Sequence, residues 1–197
     1  MLLQNSQTAG NLMRAFAGES QAYMRYTLAA EECKKQQLFV LRAVFDYTAA
    51  QEKAHAEIFS RFLRQQPESS VTIGEAGYPV DLSTEPAALL QAARHNEYEE
   101  HGIVYPQFGD TAEQEGFLPV AAAFRQIATV EKTHGDRFGR LAELLEQNRL
   151  FVSDAETGWI CLNCGHTVHA KQAPPSCPVC HYPQGYFVRL EFSPYVS

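Results

Sequence analysis

A glutamate followed three residues later by a histidine occurs twice in this chain, and this spacing suits metal binding. Glu52 precedes His55 by three positions, and Glu131 precedes His134 by the same interval. Residues three apart on an α-helix lie about 60° from each other, so each pair shares one face. Burying ionisable groups is unfavourable unless something pairs with them, and a metal ion is the natural candidate. One such pair alone would also fit a partly solvated helix face. A metal site is therefore indicated only if the rest of the chain supplies further ligands.

Each pair lies on an apolar stripe with helical spacing, which predicts two buried amphipathic helices. The two stripes match at an offset of 79 positions, both polar residues included. The first stripe is Leu41, Phe45, Thr48, Glu52, His55, Phe59 and Phe62, and the second is Val120, Phe124, Ile127, Glu131, His134, Phe138 and Leu141. The chain is therefore predicted to contain two copies of a helical hairpin.

Four helices have to position these side chains. They are predicted over residues 8–35, 37–65, from 83 or 84 to about 115, and 118–147. Pro106 is expected to kink or bulge the third of them. Glu19 on the first helix matches Glu97 on the third at an offset of 78. Glu19 and Glu52 are equally far from the predicted turn of the first hairpin, and Glu97 and Glu131 are equally far from that of the second. Each antiparallel hairpin therefore brings two carboxylates to one level.

The connection between the second and third helices, residues 66–83, is long enough to span the bundle at about 3.3 Å per residue. Such a crossover makes these two helices parallel, which is the ferritin-like arrangement. We therefore predict an all-α four-helix bundle over residues 1–150. A small β-rich module with four cysteines is predicted to follow over residues 151–197.

The side chains predicted to face inward form a ligand set for two metal ions. Its members are Glu19, Glu52, His55, Glu97, Glu100, Glu131 and His134. A di-iron carboxylate bundle takes one Glu from each of two helices and a Glu-x-x-His motif from each of the other two, and the chain meets this rule. Glu57 and Glu99 lie about 140° and 160° from Glu52 and Glu97, so both are predicted to face solvent.

Glu100 is a surplus carboxylate, because the first hairpin has none at the matching position. It lies one turn beyond Glu97, so it is predicted to let one iron change ligands between redox states. Tyr26 and Tyr105 lie on or beside the same faces. They are expected either to hydrogen-bond a ligand or a peroxide, or to serve as core tyrosines.

Two Cys-x-x-Cys motifs near the C-terminus predict a tetrahedral four-thiolate metal site. Their cysteines are Cys161, Cys164, Cys177 and Cys180. Spacing alone does not choose between a structural zinc and an iron that moves electrons. Cys33 stands alone in a helical stretch and is predicted to be inert.

The composition excludes several other classes of protein. The formal net charge is -7 over 197 residues, and no basic cluster offsets it, which argues against nucleic-acid or anionic-membrane partners. The first residues lack the charged region and apolar run of a signal peptide, and no run is long enough to cross a bilayer. We therefore expect a cytoplasmic protein with reduced cysteines.

Together these motifs resemble the rubrerythrin family over nearly the whole chain. The matching motifs are Gly18-Glu19, Glu52-x-x-His55, Glu97-x-x-Glu100 followed by Tyr105-Pro106, Glu131-x-x-His134, Trp159-x-Cys161-x-x-Cys164-Gly165 and Cys177-Pro-x-Cys180. The resemblance implies a rubredoxin-like domain whose cysteines hold one iron rather than zinc, and exchange of one bundle iron between Glu100 and His55. The polar segment 166–176 departs from the family pattern, and this difference bears on the redox potential of the site more than on the identity of its metal.

Members of this family act as peroxidases, usually as homodimers or larger assemblies, so the resemblance implies a hydrogen peroxide reductase in oxidative stress defence. The rubredoxin-like iron would deliver electrons from an external donor, either rubredoxin or an NAD(P)H-linked reductase. Because the linker places the module beyond a helix end, we predict transfer between subunits of a head-to-tail dimer. A ferroxidase that uses oxygen is the second hypothesis, and a zinc-ribbon interaction module on an inert bundle is the third.

Overall fold

The computed structural model describes residues 2–65, 67 and 69–193. Within these ranges the N-terminal part is a four-helix bundle. Its four helices are built from five α-helical segments, of which α3 and α4 together form the third helix: α1 (Gln7–Lys35), α2 (Phe39–Leu63), α3 (Pro86–Glu99), α4 (Tyr105–Gln114) and α5 (Leu118–Glu146). The first, second and fourth predicted helices are confirmed to within two residues at each end, and the third begins shortly after its predicted start. Outside the description lie Met1, residues 66 and 68 of the predicted connection, and residues 194–197 of the predicted C-terminal domain.

The third helix of the bundle consists of α3, a π-helical turn at Glu100–Val104, and α4. Pro106 lies in the first turn of α4 and has no N–H, so it cannot supply a regular helical hydrogen bond. The N–H of Tyr105 donates to the carbonyl oxygen of Glu100, five residues earlier, which is the π-helical pattern. The predicted bulge is therefore confirmed.

The π-helical turn adds one residue to the second hairpin relative to the first. Glu19 and Glu97 are 78 positions apart, whereas Tyr26 and Tyr105 are 79 positions apart. The extra residue must fall between Glu97 and Tyr105, where the π-helical turn lies. A change in the repeat offset is thus the sequence signal of this turn.

The connection from α2 to α3 runs along α1, from its N-terminal half to its C-terminal end. The hydroxyl of Tyr78 donates to the carbonyl oxygen of Arg14, 3.2 Å away. Further along, the side-chain amide of Gln36 donates to the carbonyl oxygen of Thr84, also 3.2 Å away. Because α1 and α2 are antiparallel, this path makes α2 and α3 parallel. The predicted ferritin-like crossover is confirmed.

The apolar core of the bundle is divided into two clusters, and the predicted ligands lie between them. One cluster contains Tyr26, Phe45 and Phe138, and the other contains Tyr105, Phe59 and Phe124. In both clusters the ring centroids of these three residues are between 5.1 and 5.9 Å apart. The two aromatic groups therefore close the ligand layer from above and below in the same way.

A three-stranded antiparallel sheet in the order β2-β1-β3 forms the C-terminal module. Its strands are β1 (Val152–Cys161), β2 (Thr167–Gln172) and β3 (Phe187–Arg189). Trp159 is fully buried, and its indole N–H donates to the carbonyl oxygen of Ala170 at 3.0 Å. This sheet carries the first cysteine of the module at the end of β1.

The module packs against the turn between α1 and α2. The ring of Tyr186 stacks on that of Phe39 with centroids 4.1 Å apart. Val188 joins the apolar cluster of the bundle that contains Phe45. Phe39 and Glu52 are 13 residues apart, about 20 Å along the axis of α2. The module therefore lies at one end of the bundle, away from the ligand layer.

Candidate metal centres

Six of the predicted ligands form two groups of four in the middle of the bundle. One group is Glu19, Glu52, His55 and Glu131, and the other is Glu52, Glu97, Glu131 and His134. Within each group, one ligand atom from every residue lies within 4.8 Å of the others. Glu52 and Glu131 belong to both groups, as bridging carboxylates of a two-metal site do.

The shared carboxylates turn one oxygen toward each group. Oε2 of Glu52 lies 3.2 Å from Nδ1 of His55, while its Oε1 lies 2.9 Å from Nδ1 of His134. Glu131 does the same, with Oε1 at 3.0 Å from His55 and Oε2 at 2.9 Å from His134. Such an arrangement lets one carboxylate bind two metal ions at once.

Many buried polar atoms of this layer lack a hydrogen-bond partner among the described residues. They are Glu19 Oε2, Glu52 Oε1, Glu97 Oε2, both carboxylate oxygens of Glu131 and both ring nitrogens of His134. These side chains are at most 1% exposed, so bulk solvent does not reach them. So many unpaired atoms would be strongly unfavourable in a core, and a bound cation removes the penalty. Oxygen and imidazole donors suit iron, manganese or zinc, so the residues fit a di-iron centre.

Protonation of the histidines balances part of the negative charge of the layer. Burial lowers the pKa of His134, but the closely surrounding glutamate carboxylates, Glu131 first, outweigh burial and raise the pKa to about 11. Burial raises the pKa of Glu97 to about 8. Burial also raises the pKa of Glu52, but the adjacent imidazoles of His134 and His55 prevail and lower the pKa to about 2. Because a metal cation takes over this charge balance, its binding should release protons.

Each of the unshared carboxylates accepts a hydrogen bond from a tyrosine of the other hairpin. The hydroxyl of Tyr26 donates to Oε1 of Glu97, and that of Tyr105 donates to Oε1 of Glu19. Burial raises the pKa of both phenols well above its usual value, so both remain protonated donors. These bonds fix one oxygen of each carboxylate and leave the other for the ligand layer.

Glu100 lies beside the two groups of ligands and belongs to neither. Its carboxylate is directed toward α1, where a Cβ added to Gly18 would lie 3.9 Å from its Oε1. Burial and then the charge of Glu19 raise the pKa of Glu100 well above its usual value. The role of Glu100 as an alternative ligand to His55 stays a prediction.

Two acidic residues close to the ligands in sequence, Glu57 and Glu99, face solvent. The side chains of Glu57 and Glu99 are 66% and 53% exposed, which confirms their predicted orientation. Two further histidines of the third helix lie outside the ligand groups: His95 is 70% exposed, and Nδ1 of His101 lies 2.7 Å from the carbonyl oxygen of Ala128.

Cys33 is fully buried in the bundle, away from the cysteines of the module. Burial raises the pKa of its thiol to about 12. Because the thiolate is the reactive form, this environment favours the predicted inert role.

Arg137 is a partner of the ligand helices that the sequence interpretation omits. Its guanidinium donates to the hydroxyl of Thr48 at 2.9 Å and to the side chain of Gln51 at 3.2 Å. Both acceptors lie within one turn of Glu52. Arg137 follows His134 by three residues, and this spacing places it next to the ligand face of the helix. The spacing could have identified Arg137 from the sequence.

The four predicted cysteines converge at one end of the module. Sγ of Cys161 lies 3.7 Å from that of Cys180, and Sγ of Cys164 lies 3.7 Å from that of Cys177. A tetrahedron with metal–sulfur bonds of about 2.3 Å has edges of about 3.8 Å, whereas a disulfide is about 2.05 Å long. The geometry therefore fits a four-thiolate metal site and suits zinc and iron alike.

Known proteins resemble this chain in both of its parts. A sequence profile of rubrerythrin matches residues 10–142, and one of the rubrerythrin rubredoxin-like domain matches residues 159–188. Rubrerythrin-1 of Clostridium acetobutylicum is 44% identical over 186 residues, which cover 94% of this chain and 95% of that protein. The rubrerythrin of Clostridium perfringens is 40% identical over 185 residues, with 94% and 95% covered. The chain belongs to the rubrerythrin family.

Solved structures show the same fold at lower identity. A mixed-valence nigerythrin has a TM-score of 0.62 at 22% identity, over 92% of this chain and 86% of that one. The bacterioferritin of Desulfovibrio desulfuricans has a TM-score of 0.64 at 18% identity, over 73% and 82%. These matches confirm the ferritin-like fold predicted for this rubrerythrin-family chain. Among its described residues, no helix combines the length and apolar character that a membrane span requires.

Proposed function

We propose that this protein reduces hydrogen peroxide to water at the bundle site, using electrons delivered through the four-thiolate site. One observation carries the proposal: a buried pair of carboxylate–histidine groups and a separate four-thiolate site occur in one chain. Two iron ions in the bundle would supply the two electrons that cleave one O–O bond. The balanced reaction converts one hydrogen peroxide, two electrons and two protons into two water molecules.

The ligands of this chain match the charge of such a centre. Glu52 and Glu131 would bridge the two ions, Glu19 and Glu97 would bind one ion each, and a histidine would complete each group. Four carboxylates and two neutral imidazoles carry a charge of −4, which balances two divalent cations. Tyr26 and Tyr105 would hold the unshared carboxylates in orientation.

The source of the electrons is part of the proposal. An external donor, either rubredoxin or an NAD(P)H-linked reductase, would reduce the thiolate-bound iron one electron at a time. Cys164 is exposed, so this site is accessible to such a donor. We place the reaction in the cytoplasm, because four free thiolates require a reducing compartment.

We further propose that electrons cross between subunits of a head-to-tail homodimer. Two observations support this route: the module docks at the bundle end, and the apolar cluster around Phe45 lies between it and the ligand layer. The distance along α2 from Phe39 to Glu52 is about 20 Å. A partner's module lying along the bundle would offer a shorter path.

A Cys161→Ser variant tests whether the four-thiolate site delivers electrons while the bundle site reacts with peroxide. Donor-driven turnover should be lost, while peroxide should still oxidise the reduced bundle site once. The measurement is stopped-flow absorption of the chemically reduced protein, beside steady-state turnover. Loss of the single oxidation as well would contradict the proposal, provided the bundle retains its iron.

A mixed dimer tests the route between subunits. One protomer carries Cys161→Ser and the other carries Glu131→Gln, so neither chain has both sites intact. Donor-driven turnover in the mixed dimer, and its absence in both parent dimers, is expected if electrons cross between subunits. An inactive mixed dimer with full metal content at the intact sites would show that transfer stays within one chain.

Oxidation rates of the same reduced protein with peroxide and with oxygen distinguish this proposal from the ferroxidase hypothesis. Peroxide should oxidise it faster than oxygen does, whereas a ferroxidase would favour oxygen and consume added ferrous iron. The interaction-module hypothesis predicts zinc in the four-thiolate site and no visible thiolate-to-iron absorption. An iron count near three per chain, with strong visible bands, would exclude it.

A further inference from the structure

A cavity of about 250 Å³ lies between α1, the crossover and the π-helical turn. Glu100 and Tyr105 form part of its inner wall, and residues 75–79 of the crossover form its outer wall. Tyr105 in turn donates its hydroxyl hydrogen bond to Glu19. The cavity therefore ends against a side chain that touches the ligand layer. At about 30 Å³ per water molecule, it has ample room for a peroxide.

The ligand layer needs such a passage. Glu19, Glu131 and His134 are 0% exposed, so a small molecule can reach them only between other side chains. At the rim of the cavity, Glu75 and Glu99 are exposed. The cavity thus connects solvent with the edge of the layer.

A second cavity does not offer this connection. Its volume is about 680 Å³, and it lies between the bundle and the module, with Tyr47 and Leu162 in its walls. None of the predicted ligands lines it.

Residues 75–79, called the strap here, close the outer side of the smaller cavity. The hydroxyl of Tyr78 donates to the carbonyl oxygen of Arg14 at 3.2 Å, and the side chain of Gln21 donates to the carbonyl oxygen of Pro79. Ala76 and Gly77 of the strap are exposed. An exposed loop segment of this kind can open at a small free-energy cost.

Gly18 lies opposite the strap, on the face of α1 that lines the cavity. A Cβ added there would lie 3.7 Å from Cε1 of Tyr78 and 3.9 Å from Oε1 of Glu100, which are ordinary contact distances. A single carbon would therefore fill the gap between the ring and the carboxylate. A longer side chain would occupy the passage itself.

We propose that this cavity is the route by which peroxide reaches the ligand layer, and that Gly18 and Tyr78 set its width. The inference rests on the proposed function, because it takes peroxide as the molecule that uses the route. Neither residue is a predicted ligand or a hydrogen-bond partner of one. Both act by the space that they leave or fill.

The charges around the cavity suit a neutral molecule. Glu75, Glu99 and Glu100 supply carboxyl groups, and Arg14 and Arg25 supply guanidinium groups. The guanidinium of Arg25 is already paired with an aspartate of the crossover, 3.5 Å away. The route therefore offers no excess positive charge to an anion, and hydrogen peroxide is neutral at physiological pH.

The test uses the chemically reduced, iron-loaded protein and two probes in stopped-flow absorption. Hydrogen peroxide reports access together with reaction, whereas nitric oxide, a neutral diatomic that binds ferrous iron, reports access alone. Gly18→Leu should slow both by at least tenfold. Ser20→Leu adds the same side chain to α1 at an exposed position and should change neither. Tyr78→Ala should speed both severalfold, while Tyr23→Ala, which removes a similarly exposed tyrosine from α1 rather than from the strap, should not.

Unchanged rates for both probes in Gly18→Leu, with iron content and unfolding temperature preserved, would overturn the route. If Gly18→Leu fails to fold or to hold iron, Tyr78→Ala decides: faster binding of nitric oxide supports the route, and an unchanged rate refutes it. Failure of the proposed function would give a different result from failure of the route. In that case wild-type protein reacts no faster with peroxide than with oxygen, while the nitric oxide measurements still report on the cavity.

Discussion

At the scale of single residues, the ligand layer consists of two equivalent halves joined by side chains that cross between them. Glu52 and Glu131 give one oxygen to each half, and the tyrosine of each hairpin binds the carboxylate of the other. A ligand whose second oxygen is held by a tyrosine has little freedom to turn away. We therefore expect the tyrosines to act through Glu19 and Glu97.

Tyr105→Phe removes only the hydroxyl that holds Glu19. Loss of a residue that orients a metal ligand typically lowers metal affinity or activity by about 10–100-fold, and we expect a reduction in that range. Iron titration and peroxide turnover measure it. Tyr47→Phe is the matched control, because Tyr47 is 42% exposed and lies outside the ligand layer. An equal effect in the two variants would contradict the positioning role.

Glu131→Gln removes a shared ligand and should affect both bundle metal ions together. We expect the iron content to fall from three per chain to about one, since the amide is a poor ligand and the four-thiolate site is separate. Elemental analysis with the visible absorption of the thiolate-bound iron distinguishes the sites. Glu57→Gln, at a solvent-facing position of α2, should keep all three. Retention of one bundle iron would argue against a bridging role for Glu131.

At the scale of elements, the end of α4 caps the start of α1. The carboxylate of Glu115 accepts hydrogen bonds from the N–H groups of Gln7 and Thr8 and from the hydroxyl of Thr8. Burial raises the pKa of Glu115, but these hydrogen bonds outweigh it and lower the pKa below its usual value. The contact joins the two hairpins, which are far apart in the chain.

Glu115→Gln should lower the free energy of unfolding by about 1 kcal/mol at pH 7, as loss of a helix cap does. A depressed carboxyl pKa stabilises the fold above the unfolded-state value of about 4.3. The contribution is lost as the pH falls through the lower folded-state pKa, so the gap between wild type and variant should narrow below about pH 4. Urea unfolding at pH 7 and in acid measures this, with Glu57→Gln as control. A gap that widens in acid would contradict the assignment.

At the scale of the whole molecule, the four-cysteine module is attached to the bundle by a close backbone approach as well as by the linker. A Cβ added to Gly185 would lie 1.8 Å from the carbonyl oxygen of Gln37, so only glycine permits this contact. Gln37 itself has a φ of 60° in the turn between α1 and α2. The position of the module therefore depends on two residues that are remote in sequence.

Gly185→Ala should weaken the docking of the module by about 1–3 kcal/mol, the usual effect of overpacking. We expect protease cleavage near residues 147–151 to become faster, while the iron content stays unchanged. Gly74→Ala is the control, because an added Cβ there has no neighbour within 4 Å. Equal cleavage rates would show that the contact does not hold the module in place.

The helices, the ligand types and the two kinds of metal site were predictable from the sequence. Periodicity and ligand spacing are local properties, so Glu52-x-x-His55 and its copy at Glu131 were recognisable without coordinates. The change in offset between the glutamate and tyrosine pairs also marked the π-helical turn, although its meaning became clear only in the structure.

Three features became apparent only in the folded chain: the hydrogen bonds between the hairpins, the direction of the Glu100 carboxylate and the surface that the crossover covers. These features depend on packing between segments far apart in the chain, such as Tyr26 with Glu97 or Tyr78 with Arg14. A helical pattern fixes which face a side chain occupies, but it does not fix which side chain meets it from another helix. The width of the passage at Gly18 is likewise a distance between three elements, and no single stretch of sequence encodes it.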